Sequence, residues 1–221
     1  KTLFPYTTLF RSWIRTFDAD CDGDMDIFSY MNGGGMQLWR NEMIPSGTLQ
    51  FTLSTSSVNT HYVGFQTGIY VSRVDMPAIA DMDNDGDFDV LNFSNAANFL
   101  EYHRNYSMDS IGTCGTLNKI HDIWKCWGYF YTLFGVNMAV LPPDTSASPL
   151  CPLLPVHAAE VPDSYVERSA ATSRHSGSAT LAVDLDGDND KDILMTDIAS
   201  AKLLYIQNCG NPDSAFACVQ D

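Results

Sequence analysis

Three short segments of the chain carry five aspartates each, placed at every second position. They begin at residues 18, 81 and 184 and follow the pattern D-x-D-x-D-G-D-x-D, with one variation in the third. Five carboxylates on one turn repel each other strongly unless a cation neutralises them. Oxygen ligands at this density are typical of hard divalent cations, and Ca²⁺ accepts about six to eight of them in a flexible ring. The spacing therefore predicts three cation sites, with Ca²⁺ as the expected ion.

We call residues 18–26, 81–89 and 184–192 the first, second and third acidic loops. The carboxylates at positions 1, 3 and 5 of each loop are expected to converge. Position 7 is expected to contribute its backbone carbonyl, and the aspartate at position 9 to close the site. Glycine at position 6 permits a sharp reversal that a Cβ would obstruct. The candidate metal ligands are Asp18, Asp20, Asp22, Asp24, Asp26, Asp81, Asp83, Asp85, Asp87, Asp89, Asp184, Asp186, Asp188, Asp190 and Asp192.

The helix-flanked form of such a loop, the EF-hand, closes with a bidentate glutamate at position 12. Position 12 is Ser29, Asn92 and Met195 here, so that interpretation fails in all three copies. The third loop carries Gly187 at position 4 and Asn189 at position 6. Because asparagine tolerates positive φ better than other non-glycine residues, we expect this site to form as well, with weaker binding.

Each acidic loop lies within a repeated series of short apolar runs. One run leads into the loop, a second follows it directly, a third ends in asparagine, and a variable fourth completes the unit. Such runs, bounded by turn residues, are typical of β-strands. In chain order they are 14–17, 27–30, 37–41 and 50–54, then 77–80, 90–93 and 100–105, then 179–183, 193–196 and 203–208.

The loop motif and its flanking strands resemble the FG-GAP/VCBS repeats of integrin α-chain β-propellers and of large secreted bacterial surface proteins. The resemblance covers the loops and their strands, about half of the chain. It implies an all-β fold, a partial β-propeller of four-stranded blades with Ca²⁺-binding loops between strands. About three structural Ca²⁺ ions are implied, together with an extracellular or cell-surface location. No particular ligand is implied, because the partners differ within the family.

The first twelve residues resemble the translation of a sequencing adapter, so we treat 1–12 as a non-native leader that replaces the natural start and any signal peptide. An ordinary N-terminal strand is the alternative. The first two loops start 63 residues apart and the last two 103 apart, which indicates an insertion of about 40 residues. A propeller closes with about four to eight blades, so we expect a longer chain to complete it. Within 13–221 we expect repeats at about 13–76, 77–105 and 177–209 and an insertion at about 106–176.

The insertion contains a charge-free run at 127–141, which is too short to span a bilayer and indicates two strands with a turn near Gly135. We therefore expect no membrane span. The chain has six cysteines, and in a Ca²⁺-rich extracellular setting disulfides are the default. Cys209 and Cys218 are close enough to pair locally, and two of Cys114, Cys126 and Cys151 are candidates to tie down the insertion. Six cysteines allow fifteen connectivities, and the sequence alone selects none of them. Cys21, at a non-ligand position, is interpreted as a loop filler or a partner to sequence outside this chain.

The formal net charge of −15 argues against nucleic-acid binding, since clustered Lys and Arg would be needed to replace phosphate counterions. No serine-hydrolase elbow, zinc-protease or P-loop motif occurs. The spacing of Cys114, His121 and Cys126 fits no standard zinc finger. Paired glycosidase carboxylates are disfavoured, because catalysis needs one asymmetric pair rather than three identical sets.

Two functional interpretations stay open. The first is a Ca²⁺-stabilised, non-catalytic β-propeller module of a secreted or cell-surface bacterial protein, serving adhesion or the binding of a glycan or protein. The second is an accessory or catalytic part of a secreted polysaccharide-degrading enzyme. A charged pocket assembled from the insertion would favour the second.

Overall fold

The computed structural model describes residues 13–62, 64–94, 99–124, 127–133, 137–140, 177–198, 203–213, 215 and 217–218. Within them the chain is mostly β-structure, with two α-helices of four and five residues and two short 3-10 turns. The all-β prediction is confirmed. The predicted leader at 1–12 and the insertion residues 141–176 lie outside the described residues.

The first repeat folds into one antiparallel sheet of four strands in chain order. The first acidic loop connects the first two strands, and a short helix, α1 (Met43–Ser46), precedes the fourth. The strands are β1 (Ile14–Phe17), β2 (Asp26–Tyr30), β3 (Met36–Asn41) and β4 (Phe51–Thr55).

The second repeat has the same order, with two further strands at its edge. These strands form a hairpin, β5 (Asn59–Tyr62) and β6 (Phe65–Gly68), whose β5 pairs in parallel with the fourth strand of the repeat at His61 and His121. A helix, α2 (Ser107–Ile111), precedes that fourth strand. The strands of the repeat are β7 (Ala78–Ala80), β8 (Asp89–Phe93), β9 (Leu100–Asn105) and β10 (Ile120–Trp124), and the sheet order is β6-β5-β10-β9-β8-β7.

The charge-free run forms a separate antiparallel hairpin, β11 (Phe130–Leu133) and β12 (Asn137–Val140), as predicted. The third repeat again gives a four-stranded antiparallel sheet in chain order. Its last strand is short, and the third acidic loop connects its first two strands. The strands are β13 (Ser178–Val183), β14 (Asp192–Asp197), β15 (Leu203–Asn208) and β16 (Ala217–Cys218).

The predicted strands agree with the observed ones to within a residue or two, but the bounds of all three repeats differ. The first was expected to span 13–76, whereas β5 and β6, which lie within that range, belong to the sheet of the second repeat. The second repeat was expected to end at 105, whereas its fourth strand, β10, lies inside the predicted insertion. The third was expected to end at 209, whereas β16 extends it to Cys218. In the second and third repeats an irregular segment separates the third strand from the fourth, so the period of the pattern is lost there.

The sheet of the second repeat lies between those of the first and third repeats, and its strand β8 is buried along its whole length. Successive side chains of a strand point to opposite faces, and β8 shows this directly. Val90 packs into a core with Phe28 and Leu38 of the first repeat. Its neighbour Leu91 packs into a second core with Ile193 of the third repeat. The described sheets do not close into a ring.

The first strands of the three repeats lie side by side. Strand β7 contacts both β1 and β13, and Met76 forms a parallel bridge with Ala179. The Arg15 guanidinium donates to the carbonyls of Pro77 and Thr180, at 2.9 and 2.6 Å, and so connects all three repeats. No helix among the described residues has the length and apolar character that a membrane crossing requires.

Candidate metal sites

The carboxylates at positions 1, 3 and 5 converge in each acidic loop, as the spacing predicts. In every loop one oxygen from each of the three residues lies within 4.8 Å of the others. The groups differ in exposure: the first two are half-buried throughout, whereas two of the three residues in the third group are exposed. The groups are Asp18, Asp20 and Asp22; Asp81, Asp83 and Asp85; Asp184, Asp186 and Asp188.

The backbone explains the variation in the third loop. Positions 4 and 6 both have positive φ in all three loops, a conformation that glycine and asparagine adopt most easily. The second loop has Asn84 at +63° and Gly86 at +100°, and the third has Gly187 at +83° and Asn189 at +72°. The third loop therefore exchanges glycine and asparagine between two positions with the same requirement, and the expectation that Asn189 permits the turn is confirmed.

The position 1 carboxylate organises the turn from inside. Both oxygens of Asp81 accept backbone N–H groups, from Asp85 and Gly86 at 3.1 Å each. Asp18 accepts from the corresponding positions of the first loop. Because backbone donors hold the carboxylate in place without neutralising its charge, the loop keeps its negative field.

The position 9 carboxylate is fully buried beneath each loop and joins the loop to the third strand. One oxygen accepts the N–H of position 2, and the other accepts the N–H of the asparagine that ends the third strand. In the second and third repeats a tyrosine hydroxyl from that strand also donates to it. The sets are Asp26 with Ala19 and Asn41 (2.9 and 2.7 Å), Asp89 with Met82 and Asn105 (2.9 and 2.8 Å), and Asp192 with Leu185 and Asn208 (3.1 and 2.8 Å).

Position 7 links the first two loops to the helices. Asp24 accepts the N–H of Ile44 in α1, and Asp87 accepts the N–H of Met108 in α2, each at 2.9 Å. The other oxygen of each is buried and has no hydrogen-bond donor within the described part of the chain, as is also true of one oxygen of Asp190. Positions 7 and 9 are not in the 4.8 Å groups, so their assignment as ligands stays a prediction.

A side chain from the third strand contacts position 3 of each loop. It comes from the residue directly before the terminal asparagine, a position that sequence reasoning did not single out. Arg40 lies 3.3 Å from Asp20, Arg104 lies 2.5 Å from Asp83, and Gln207 donates to Asp186 at 2.6 Å. A signal was available in the sequence, since these residues occupy the same place in each repeat.

Burial and neighbouring charge raise the pKa of several of the loop carboxylates. Desolvation, together with the other loop carboxylates, raises the pKa of Asp87 to about 7 and that of Asp190 to about 6. Desolvation also raises the pKa of Asp83 to about 6, although Arg104 opposes this shift. The pKa of Asp89 lies well above its usual value because the group is deeply buried. Such shifts indicate that the charged loops lack enough compensation from the protein itself.

The ligand atoms of the loops fit a hard cation. Three carboxylates converge in each loop, and no sulfur or imidazole belongs to the groups. Several buried carboxylate oxygens accept no hydrogen bond from the described residues. Asp87 and Asp190 are 1% and 2% exposed, yet each has such an unpartnered oxygen. A buried carboxylate oxygen without a partner is costly, and a bound cation would remove that cost.

The three loops lie next to one another. Asn84 of the second loop donates to the carbonyl of Asn189 at 2.5 Å and accepts from Lys191 at 2.6 Å. Cys21 of the first loop forms a disulfide with Cys114, which lies between α2 and β10, and both sulfurs are within 3.8 Å of the Gly86 carbonyl oxygen.

The Cys21–Cys114 disulfide corrects the interpretation of Cys21 as a loop filler or a partner to sequence outside this chain. Because the sulfur of Cys114 is used in this bond, Cys114 is excluded as a disulfide partner within the insertion and as a zinc ligand beside His121. Cys126 and Cys151 lie outside the described residues. Cys209 and Cys218, a local pairing that the sequence left open, form a disulfide.

No family model matches this chain, and neither a curated protein nor a solved structure does so.

Proposed function

We propose that the acidic loops bind three Ca²⁺ ions, one in each repeat, and that these ions stabilise a non-catalytic binding module. The observation that carries the proposal is the threefold recurrence of the 4.8 Å carboxylate groups. Each lies above a buried position 9 aspartate that accepts hydrogen bonds from its own loop and from the third strand, an arrangement that we call the position 9 clamp. A chance cluster of acidic residues would not recur with the same supporting contacts.

Ca²⁺ is favoured over other ions by the ligands. Oxygen-only sites exclude the softer transition metals, which prefer sulfur and imidazole. Mg²⁺ demands near-ideal octahedral geometry, whereas an irregular loop of carboxylates and carbonyls suits the flexible coordination of Ca²⁺. The carboxylates at positions 1, 3 and 5 would hold the ion, and each position 7 carboxylate has one buried oxygen that accepts no hydrogen bond from the described residues.

The role of the ion would be structural. Each loop connects the first two strands of its repeat, while the position 9 clamp ties the loop to the third strand. A loop whose negative charge is neutralised by Ca²⁺ would therefore hold three strands in register. The side-by-side first strands, together with the cores shared between successive repeats, support a β-propeller arrangement completed by a longer chain. The two disulfides in the described part of the chain support a secreted or cell-surface location.

The test is a thermal melt of the full chain with Ca²⁺, with Mg²⁺ and with chelator, joined to calorimetric counting of bound ions. Each site at a free Ca²⁺ concentration of about a hundred times its Kd contributes about 2.7 kcal/mol. We expect a large rise in Tm with Ca²⁺, a small one with Mg²⁺, and three bound ions. A melt that chelator leaves unchanged contradicts the proposal.

A further inference from the structure

A cleft of about 580 Å³ opens between the first repeat and the β5–β6 hairpin. Its walls include Met31 and Gly34 from the β2–β3 turn, and Ser94 and Glu101 from the ends of β8 and β9. These residues lie at the strand ends opposite the acidic loops. The cleft is therefore separate from the candidate metal sites.

Aromatic rings form much of the cleft. Tyr62 and Phe65 stack across the tip of the hairpin, with ring centroids 5.5 Å apart and an angle of 28° between their planes. Phe65 is 61% exposed, which is unusual for so large an apolar ring. Tyr70 lies against Gly34, where an added Cβ would come within 3.0 Å of the ring. The cleft thus presents flat apolar surface that is fixed by packing.

The polar groups of the cleft are hydroxyls and one carboxylate. Ser57 donates its hydroxyl hydrogen to Asn59 at 2.9 Å, so its oxygen is left as an acceptor toward the cleft. Thr67 is exposed and adds a second hydroxyl. The Glu101 side chain is only 12% exposed and lies 3.8 Å from His103. Its carboxylate can accept hydrogen bonds but cannot donate them when ionised.

We propose that this cleft binds a neutral glycan. Sugars offer an apolar C–H face that packs on aromatic rings, and hydroxyl groups that donate to carboxylates and exchange hydrogen bonds with serine and threonine. The described lining contains no lysine, arginine or histidine, so an acidic ligand would meet only Glu101, which repels it. A quaternary ammonium ion would use the rings and Glu101 but would leave the hydroxyls without partners.

The experiment uses the full chain in Ca²⁺-containing buffer and titrates it calorimetrically with defined probes. The neutral probes are the tetrasaccharides of the cello, malto, xylo and manno series. Tetragalacturonate serves as the acidic probe and choline as the cationic one. We expect at least one neutral tetrasaccharide to bind with a Kd in the millimolar range or tighter, with no binding of the other two probes.

The variants locate the site. Phe65→Ala should weaken binding about tenfold, which corresponds to about 1.4 kcal/mol, and Glu101→Gln should also weaken it. Leu203→Ala is the matched control, since Leu203 is 63% exposed on β15 of the third repeat and lies outside the cleft. It should leave binding unchanged. The Ca²⁺-dependent melt of all three variants should match that of the parent protein, which separates this proposal from the one on the metal sites.

Three results would overturn the proposal. One is failure of every neutral tetrasaccharide to bind at millimolar concentration. Another is binding of choline or tetragalacturonate in preference to the neutral probes. The third is an equal loss of affinity in the Phe65 and Leu203 variants, which would place the binding elsewhere.

Discussion

The second and third acidic loops share a motif but differ in their surroundings. The second loop is half-buried and faces α2 and Arg104. The third is largely exposed and faces Gln207, and the Cys209–Cys218 disulfide follows the third strand of its repeat. The motif fixes which oxygens converge, whereas the segment after the third strand decides how much water reaches them. Since electrostatic interactions strengthen as water is excluded, the second loop should interact more strongly with protons and cations.

The largest effect on the free energy of unfolding is expected at the position 9 clamp of the second repeat. Asp89→Ala removes the acceptor for two backbone N–H groups and for the hydroxyl of Tyr102, which is 3% exposed. Buried donors left unpaired are costly, so we expect a loss of about 4 kcal/mol in the free energy of unfolding. Chemical denaturation in Ca²⁺-containing buffer measures it.

Asp192→Ala is the matched comparison, because it removes the same contacts in the third repeat. Tyr205 is only half-buried, so water can replace its partner and the loss should be about 2 kcal/mol. Equal losses in the two variants would show that the surroundings of the loops do not affect their stability.

The next effect is a pH dependence of the metal-free protein. Desolvation raises the pKa of Asp87 to about 7 and those of Asp26 and Asp190 to about 6, from a reference value of 3.8. A folded state that holds protons more tightly is stabilised below the reference pKa, and this stabilisation is lost as the pH rises through 6 to 7. Ca²⁺-depleted protein should therefore become less stable between pH 5 and pH 8, which urea denaturation across that range would measure.

Ca²⁺ should reverse this trend, because a bound cation favours the ionised carboxylates over the same range. Within the metal-free protein, NMR of the carboxyl carbons should show Asp87 titrating at higher pH than Asp190. A metal-free protein that gains stability with rising pH would contradict the assigned burial of these groups.

A smaller effect is expected from exchanging the side chain that faces position 3. Arg104 contacts Asp83, Asp109 and Asp213, and although burial lowers its pKa, the first two carboxylates raise it above the usual value. Arg104→Gln copies the arrangement of the third repeat. We expect the metal-free protein to lose about 1–2 kcal/mol in the free energy of unfolding.

The same substitution should tighten Ca²⁺ binding to the second loop several-fold, because a positive charge beside the site is removed. Calorimetric titration of both proteins measures this change. Arg40→Gln is the control in the first repeat, where Arg40 pairs with a single carboxylate, Asp20, and both effects should be smaller. Weaker Ca²⁺ binding in the Arg104 variant would show that Arg104 mainly positions Asp83.

Much of the fold could be predicted because the loops mark the repeats. Each loop is followed at once by a strand and preceded by another, so the first three strands of every repeat follow from the position of the aspartates. The fourth strands were harder to place. Strand β10 follows a helix and an irregular segment, and β16 has only two residues, so neither shows a clear period.

The candidate sites were predicted in part. The convergence of positions 1, 3 and 5 follows from the spacing, but the clamp at position 9 depends on an N–H group fifteen or sixteen residues away. The terminal asparagines were visible in the sequence, yet their role needed the strand register to bring them to the loop. The pairing of Cys21 with Cys114 depends on how two repeats pack, which no local pattern contains.

The smallest effect concerns the exchanged glycine and asparagine. Asn189 has a φ of +72°, and its backbone carbonyl, which accepts from Asn84, is kept in any variant. Asn189→Ala should therefore lower the free energy of unfolding by about 1 kcal/mol through backbone strain alone. Asn189→Gly should change it by no more than a few tenths of a kcal/mol. Gly86 has a φ of +100°, and no atom lies within 4 Å of the place that an added Cβ would take, so Gly86→Ala should lower the free energy of unfolding by at least as much as Asn189→Ala through backbone strain. Denaturation curves would contradict this if alanine at either position left the free energy of unfolding unchanged. The two loops would then not share the left-handed turn that makes their ligand sets equivalent.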